Sequence, residues 1–196
     1  MNRTPQIETS RLTLKAVRIE DAADIYAYAR NPNVLRYTTG TTPREFAETE
    51  VFVRGLANQS AGAFAWTIRR KGHSVVIGVV EFGTQDNGAR GSVDYALSEE
   101  YWNQGIMTEA VRAVLDWAFQ TLPGLNSVSS SAMTANPAST RVQEKCGMQF
   151  VRREYRKWKK FAEPAELAVC MVTREEWRAA NQRLGDIVPN RAESSP

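Results

Sequence analysis

One segment of the chain combines the features of an anion-binding loop. It reads Tyr101-Trp102-Asn103-Gln104-Gly105-Ile106-Met107-Thr108-Glu109-Ala110, between a strand-like run and an amphipathic helix. At such a helix start, free backbone N–H groups and the positive end of the helix dipole point at one spot, where a phosphate can bind. Gly105 lets the backbone approach the anion because it has no Cβ. The candidate ligand-binding residues are Asn103, Gln104, Gly105, Ile106, Met107 and Thr108.

A simpler interpretation of this segment is an ordinary helix start with Thr108 as its cap. The segment lacks the Gly-Lys-Ser/Thr ending of a Walker loop, and it lacks the Gly-x-Gly-x-x-Gly of a dinucleotide-binding loop. The local pattern therefore leaves phosphate binding and plain capping both open.

A second segment, Asn136-Pro137-Ala138-Ser139-Thr140, places polar side chains at the start of a later helix. Asn is a good N-cap, and Pro is favoured at the first helical position that follows. Capping alone explains Asn136, whereas Ser139 gains a chemical role only if a ligand lies beside this helix.

Carboxylates are the candidate acid–base groups of the chain. Glu81 interrupts the apolar run Val79-Val80-Glu81-Phe82, so it either faces a cleft with a raised pKa or lies on an exposed strand end. Glu154 on a later strand is a second candidate base. The single histidine, His73, lies in a predicted turn, which argues against a Ser-His-Asp mechanism or a histidine metal site, and we predict no metal.

Apolar periodicity predicts the elements that position these residues. Strands are expected at residues 11–17, 63–69, 75–82, 92–98, 127–133, 148–158 and 165–172. Helices are expected at residues 20–30, from Pro43 onward with Phe46, Val51 and Leu56 as apolar positions, at 105–122, at 137–145, and after a capping box at Thr173. The order predicts an α/β (α+β) fold: a mixed, mostly antiparallel sheet with helices on both faces. We expect one domain over residues 1–185 and a polar tail over 186–196.

The composition argues against several classes of protein. The 196 residues carry a formal net charge of only +3, which is too small and scattered to indicate a nucleic-acid-binding protein. Two cysteines without metal spacing and the lack of a signal-like start are typical of a cytoplasmic protein, and no run is long and apolar enough for a membrane. The basic stretch Arg152 to Lys160 is interpreted as a half-exposed strand rather than a nucleic-acid face.

The two polar segments together resemble the GNAT superfamily of acyl-CoA-dependent N-acyltransferases. The first is similar to its pyrophosphate loop, Gln/Arg-x-x-Gly-x-Gly/Ala, and more closely to the Tyr-Trp-Gly-x-Gly-x-x-Thr-Glu-Ala of the RimJ/RimL branch. Asn103 stands where that branch favours Gly, and Met107 where Gly or Ala is usual. The second is similar to the branch pattern Asn-x-x-Ser, with Gly147-Met148 in place of Gly-Phe.

The resemblance implies a co-substrate and roles for particular residues. It implies acetyl-CoA or another short acyl-CoA, an amine acceptor such as a protein N-terminus or a small amine, and in many members a homodimer. In the GNAT fold two parallel strands, here residues 93–98 and 127–133, splay into a V that holds the pantetheine. Leu97 and Ser98 would then contact the cofactor, and the Leu97 N–H would bind the oxyanion.

The resemblance further implies that Asn136 binds the pantetheine and that Ser139 is the candidate general acid, with water as the alternative proton donor. In this family a chain of water molecules often takes the place of a dedicated base. Many members use a tyrosine of this helix instead, and Gln143 occupies its position here. Two other functions stay open at this stage: a non-catalytic module that senses acyl-CoA, and a basic RNA-associated protein, which would have to bind RNA in a salt-dependent way.

Overall fold

A computed structural model of the chain describes residues 4–187, with side chains described through residue 182. Its centre is one eight-stranded sheet in the order β1-β2-β3-β4-β5-β6-β8-β7. The strands are β1 (Ile7–Glu8), β2 (Leu12–Ala16), β3 (Ala63–Arg70), β4 (Gly78–Gln85), β5 (Arg90–Leu97), β6 (Ser127–Met133), β7 (Gln149–Arg156) and β8 (Ala165–Thr173). Neighbouring strands are antiparallel except β5 and β6, which are parallel.

The parallel pair opens soon after it begins. Only residues 90–92 of β5 pair with residues 127–129 of β6, although both strands continue beyond these positions. The expected mixed, mostly antiparallel sheet with a V-shaped opening is therefore confirmed. Beyond position 92 the two strands no longer form hydrogen bonds with each other. Every second residue of β5 there directs its backbone N–H and C=O into the opening.

Helices cover both faces of the sheet, as expected. They are α1 (Ala22–Ala29), α2 (Pro32–Leu35), α3 (Phe46–Ala57), α4 (Ile106–Thr121), α5 (Pro137–Lys145) and α6 (Arg174–Ile187). One face carries α1 and α3, whose buried side chains pack with Val79 of β4. The other face carries α4, whose buried stripe packs with Val80 and Phe82 of the same strand. Alternate residues of β4 thus serve two separate cores.

Aromatic packing fixes α4 against the sheet. Trp117 makes edge-on contacts with Phe64, Trp66 and Phe82, at ring-centroid distances of 4.7, 5.0 and 6.0 Å. Such contacts add to the burial energy of large rings. Because α4 begins at the predicted anion-binding loop, this packing also holds that loop against the ends of the strands.

Several element boundaries differ from the sequence predictions. The helix expected at residues 20–30 is α1, which ends at Ala29, and the Asn31 side chain then accepts from the Asn33 N–H and caps the short helix α2. The helix expected from Pro43 begins at Phe46, where the ring packs edge-on against Tyr26 at 5.6 Å. The helix α3 buries Thr49, Val53 and Leu56, whereas Val51, predicted as an apolar contact, is 72% exposed.

The last helix, α6, begins at the predicted capping box and extends into the region predicted as a tail. The capping box at Thr173 is confirmed: the Glu176 carboxylate accepts from the Thr173 N–H at 2.8 Å, and the Thr173 hydroxyl accepts from the Glu176 N–H at 3.2 Å. Of the predicted tail, residues 186–187 belong to the last turn of α6, and residues 188–196 lie outside the described part of the chain. No helix in the described part is long and apolar enough to cross a membrane.

Candidate active site

The opening between β5 and β6 exposes the backbone of Leu97. The Ser98 N–H donates to the Ile77 carbonyl at 2.8 Å, on the β4 side. Backbone groups alternate direction along an antiparallel pair, so the Leu97 N–H points away from β4 and into the opening. The Leu97 carbonyl on that side accepts from the Trp102 indole N–H at 2.8 Å. One free-pointing N–H at the end of β5 is the arrangement that the predicted oxyanion role requires.

Ser98 offers less to a ligand than Leu97 does. Its N–H is used within the sheet, and its carbonyl accepts from the Tyr101 N–H at 3.0 Å. Its hydroxyl donates to Glu100 at 3.2 Å. These bonds give Ser98 a role in turning the chain from β5 into the following loop.

The loop before α4 contains two residues in the left-handed conformation. Asn103 has φ +59° and Gly105, the N-cap of α4, has φ +74°. Asn tolerates this conformation better than other residues with a Cβ, which explains how it stands where the RimJ/RimL pattern favours Gly. A Cβ on Gly105 would meet only the Arg11 guanidinium at 3.6 Å, so backbone conformation rather than space requires glycine there.

The first turn of α4 leaves its amides uncapped by any side chain. The first intrahelical bond runs from the Glu109 N–H to the Gly105 carbonyl at 3.0 Å. The N–H groups of Ile106, Met107 and Thr108 therefore lack helical acceptors and point together from the helix start. The interpretation of Thr108 as the cap is wrong, because it lies in the third helical position. Three convergent amides at the positive end of a 16-residue helix can bind an anion.

Arg11 and Glu109 tie this loop to the turn between β1 and β2. Glu109 accepts from the Thr9 hydroxyl at 2.5 Å, the Arg11 N–H at 3.0 Å and the Arg11 Nε at 2.6 Å. The same guanidinium donates to the Gln104 carbonyl at 3.1 Å. Burial would raise the pKa of Glu109, but these hydrogen bonds together lower that pKa to about 2. The sequence gives no sign of this anchor, because Arg11 and Glu109 are 98 residues apart in the chain.

The start of α5 brings Asn136 and Ser139 to the open end of β5. Asn136 is the N-cap, as predicted, and its side-chain oxygen accepts from the Ser139 N–H at 3.3 Å. The Ser139 hydroxyl lies 2.9 Å from the hydroxyl of Tyr95 on β5. Tyr95 precedes Leu97 by two residues and projects to the same face of the sheet. Ser139 is thus brought to the strand whose end carries the Leu97 N–H that points into the opening.

Gln143 fills the position where many GNAT members carry a tyrosine. It is fully buried, and its Nε2 donates to the Ser130 hydroxyl of β6 at 3.0 Å. Its Oε1 is buried with no hydrogen-bond partner among the described residues. Gln143 therefore belongs to a polar layer between α5 and the sheet and has no acidic proton to give.

The opposite face of the sheet carries a cluster of acidic groups. Glu81 of β4 is directly paired with Asp94 of β5, and both follow the parity of residues that face α1 and α3. Burial and then the charge of Asp94 raise the pKa of Glu81 to about 7. Burial also raises the pKa of Asp94, with Arg156 opposing it, although its side chain retains exposed surface. The two carboxylates therefore lie side by side on the face of the sheet that α1 and α3 cover.

Tyr28 of α1 borders the same cluster. Its side chain is buried, and its hydroxyl has no hydrogen-bond partner among the described residues. Burial and the nearby charge of Glu81 raise the pKa of Tyr28. Tyr28 is thus a buried, neutral hydroxyl without a hydrogen-bond partner among the described residues, beside a titratable carboxylate.

The second candidate base, Glu154, lies in a different environment. Hydrogen bonds from Arg156 and Arg152 lower its pKa, so it remains a salt-bridged carboxylate. The basic stretch around it begins in the edge strand β7 and continues past the end of that strand at Arg156. The predicted strand is therefore confirmed, but nearly every residue of β7 is exposed, so it lacks the buried face that a half-exposed strand would have. Lys160 beyond it donates to the carbonyls of Leu35, Thr38 and Gly40 and so joins the β7–β8 loop to the α2 region.

Neither His73 nor a metal cluster contributes to the site. His73 is exposed in the turn between β3 and β4. Among the described residues, no group of three or more His, Cys, Asp or Glu side chains could hold a metal ion.

Comparison with known proteins identifies the family. Residues 11–149 match the family model described as an acetyltransferase (GNAT) domain. The chain is 28% identical over 148 residues to the uncharacterized N-acetyltransferase YoaA of Bacillus subtilis, covering 74% of this chain and 83% of that protein. It is 26% identical over 185 residues to an FsC-acetyl coenzyme A-N(2)-transacetylase of Aspergillus fumigatus, covering 88% and 78%.

Solved structures share the fold. A spermidine N-acetyltransferase from Vibrio cholerae, crystallised with CoA and spermine, superposes with a TM-score of 0.74 at 17% identity, covering 87% of this chain and 99% of that one. The chain belongs to the GNAT acetyltransferase family. It is an N-acetyltransferase, in agreement with the names of its relatives.

Proposed function

We propose that this enzyme transfers an acetyl group from acetyl-CoA to a primary amine by direct attack on the thioester. The observation that carries this proposal is the start of α4: three uncapped amides and two left-handed residues converge beside the opening between β5 and β6. In the proposed complex the pyrophosphate binds those amides. The pantetheine lies in the opening like an added strand, with Asn136 as a further contact.

The reaction requires an acceptor for negative charge at the carbonyl oxygen. As the amine nitrogen bonds to the thioester carbon, the oxygen becomes an oxyanion, and we assign the Leu97 N–H as its donor. Collapse of this intermediate breaks the C–S bond and releases CoA thiolate. Ser139 at the start of α5 is the proposed donor of the proton that the thiolate takes up.

The amine must lose its proton to attack, and Glu81 is the proposed base. A pKa of about 7 leaves a large fraction of Glu81 ionised at neutral pH while keeping it basic enough to accept a proton. Glu81 and Ser139 lie toward opposite faces of the sheet, so proton removal from the acceptor and proton delivery to the sulfur are assigned to opposite sides of the opening. Asp94 supports the assignment because its charge favours the protonated form of Glu81.

Sequence motifs and one structural relative bear on which amine accepts the acetyl group. The Tyr-Trp, Thr-Glu-Ala and Asn-x-x-Ser segments support membership of the RimJ/RimL branch, whose acceptors include protein N-terminal amines. A structural relative acts on spermidine, a small amine. The acceptor is therefore proposed to be a primary amine that enters on the face of Glu81, Asp94 and Tyr28.

A matched pair of loop variants tests acetyl-CoA binding. Gly105→Ala disfavours the left-handed conformation at φ +74° by roughly 1–2 kcal/mol, so the free loop relaxes out of it and must return to it when acetyl-CoA binds. The Kd for acetyl-CoA should therefore rise about tenfold. Asn103→Gly keeps the left-handed conformation and should leave the Kd close to that of the wild type. Isothermal titration with acetyl-CoA, propionyl-CoA and succinyl-CoA measures binding and identifies the preferred donor.

Turnover is tested by thiol release with a library of amines. Acetyl-CoA binding followed by amine-dependent thiol release supports the proposal. Binding without release for any amine would favour the acyl-CoA sensor instead. No binding by any acyl-CoA would overturn the assignment of the loop.

A further inference from the structure

Tyr95 of β5 lies against the start of α5, the helix on which many GNAT members carry a tyrosine and this chain carries Gln143. Its hydroxyl donates to the Ser139 backbone carbonyl at 3.1 Å and lies 2.9 Å from the Ser139 hydroxyl, so one short rotation of the O–H directs its proton at either oxygen. The strand β5, rather than the helix α5, carries this tyrosine. The contact joins residues 44 positions apart in the sequence, so it exists only in the folded chain.

The surroundings of Tyr95 keep its proton in place. Burial is the largest influence on its pKa and, against hydrogen bonds from Ser139, Gln143 and Ser130, raises it to about 12. Tyr95 is therefore a neutral hydrogen-bond donor throughout the physiological range. Since a serine hydroxyl is a weak acid, its donation to sulfur depends on how the oxygen is supported when its proton leaves.

We propose that Tyr95 is a positioning residue that orients and recharges Ser139 during release of CoA. In the complex the Tyr95 O–H turns from the Ser139 carbonyl to Ser139 Oγ, which leaves the Ser139 proton directed at the sulfur. As the C–S bond breaks, the Ser139 O–H bond breaks and an S–H bond forms. The Tyr95 proton passes to Ser139 Oγ, and Tyr95 regains a proton from solvent, which in turn receives the proton that Glu81 removed from the amine. This inference rests on the proposed function, because Ser139 must face the thioester sulfur.

Three variants separate a relay from independent roles. Tyr95→Phe should lower kcat roughly 10- to 100-fold while leaving the Kd for acetyl-CoA within about twofold of wild type. Ser139→Ala should lower kcat by at least as much. The double variant should be no slower than Ser139→Ala, because Tyr95 acts through Ser139. Tyr155→Phe, which removes an exposed hydroxyl bonded to Glu166, is the matched control and should keep wild-type kcat.

Replacing Tyr95 with a tyrosine of altered acidity changes the pH dependence of kcat only if the Tyr95 proton takes part in the reaction. A fluorinated tyrosine at position 95 lowers the phenol pKa from about 12 without removing the hydroxyl, so kcat should fall at alkaline pH where that of the wild type stays level. Wild-type kcat in Tyr95→Phe, no alkaline fall in the fluorinated variant, or a double variant whose loss is the product of the single losses would each overturn the relay. If the wild-type enzyme itself neither binds nor turns over acetyl-CoA, the proposed function fails; an active wild type with fully active Tyr95→Phe defeats the relay alone.

Discussion

Glu81 and Asp94 occupy directly opposite positions on β4 and β5, so two carboxylates share the face of the sheet that α1 and α3 cover. Two like charges at this distance cannot both ionise without cost, and burial adds to that cost. Burial is the larger cause and the charge of Asp94 the smaller one, and together they raise the pKa of Glu81 to about 7, well above the ordinary value of 4.5 for the side chain. A carboxylate with such a pKa is suited to accept protons near neutral pH.

The pH profile of kcat/KM should show the ionisation of Glu81 beside Asp94. We expect kcat/KM to rise with pH up to about 7 and then level off as Glu81 becomes ionised. Asp94→Asn removes the like charge, so this limb should move to lower pH. In Glu81→Gln it should disappear together with a loss of roughly 100-fold or more in rate. If Glu154→Gln abolished the limb and Glu81→Gln did not, the base would be Glu154 instead.

The same pKa predicts a stability cost of the charged Glu81. The folded-state pKa of about 7 exceeds the ordinary value, so folding favours the protonated form. The cost is absent below about pH 4.5 and complete above about pH 7. Glu81→Gln should thus be more stable than wild type by on the order of 1–2 kcal/mol at pH 8, and the gain should vanish toward pH 4. Urea unfolding at several pH values measures this, with the exposed Glu163→Gln as control; a pH-independent difference would contradict it.

Local sequence signals were sufficient for several elements near the site. The limits of β6 and α5 agree with the prediction, since an Asn-Pro start and a Gly stop mark α5. Gly147 has φ +82°, as a helix-ending glycine requires. Such signals act over a few residues and are independent of the rest of the fold.

Tertiary contacts set what the sequence could not predict. The start of α3 depends on Phe46 meeting Tyr26, and the two elements that carry these residues are separated in the chain. The raised pKa of Glu81 depends on strand register, which places Asp94 rather than another residue opposite it. The pairing of Tyr95 with Ser139 depends on where α5 docks. None of these relations has a periodic or compositional signature.

The Glu109 anchor predicts a different pH dependence. Its pKa is lowered to about 2, so its contribution to stability is complete above the ordinary value of about 4.5 and is lost as pH falls toward 2. Glu109→Gln should lower the free energy of unfolding by on the order of 1–3 kcal/mol at pH 7, and by progressively less below pH 4.5. It should also weaken acetyl-CoA binding, because Arg11 supports the Gln104 carbonyl of the loop. Glu8→Gln, which changes an exposed ion pair of the same turn, should alter stability by less than about 0.5 kcal/mol. Equal losses of stability in Glu109→Gln and Glu8→Gln would show that the Glu109 hydrogen bonds stabilise the fold no more than an exposed ion pair does.

Arg174 provides a test of how α4 is held at its far end. Its guanidinium donates at 2.5, 2.6 and 2.7 Å to three carbonyls: Phe119 in the last turn of α4, the C-cap Leu122, and Leu125 beyond the helix. Arg174→Met keeps the apolar stem but leaves three carbonyls without this donor, so we expect a loss of roughly 2–3 kcal/mol in the free energy of unfolding.

Lysine at position 174 should recover only part of that loss, since an ammonium cannot reproduce the planar fork of the guanidinium. Arg178→Met, one turn later at an exposed position, is the matched control and should be within about 0.5 kcal/mol of wild type. Chemical unfolding at pH 7 compares the three variants. Because Arg174 lies at the end of α4 opposite the anion-binding loop, the Kd for acetyl-CoA should stay near the wild-type value while stability falls. A parallel loss of acetyl-CoA binding would show instead that the position of the loop depends on the whole length of α4.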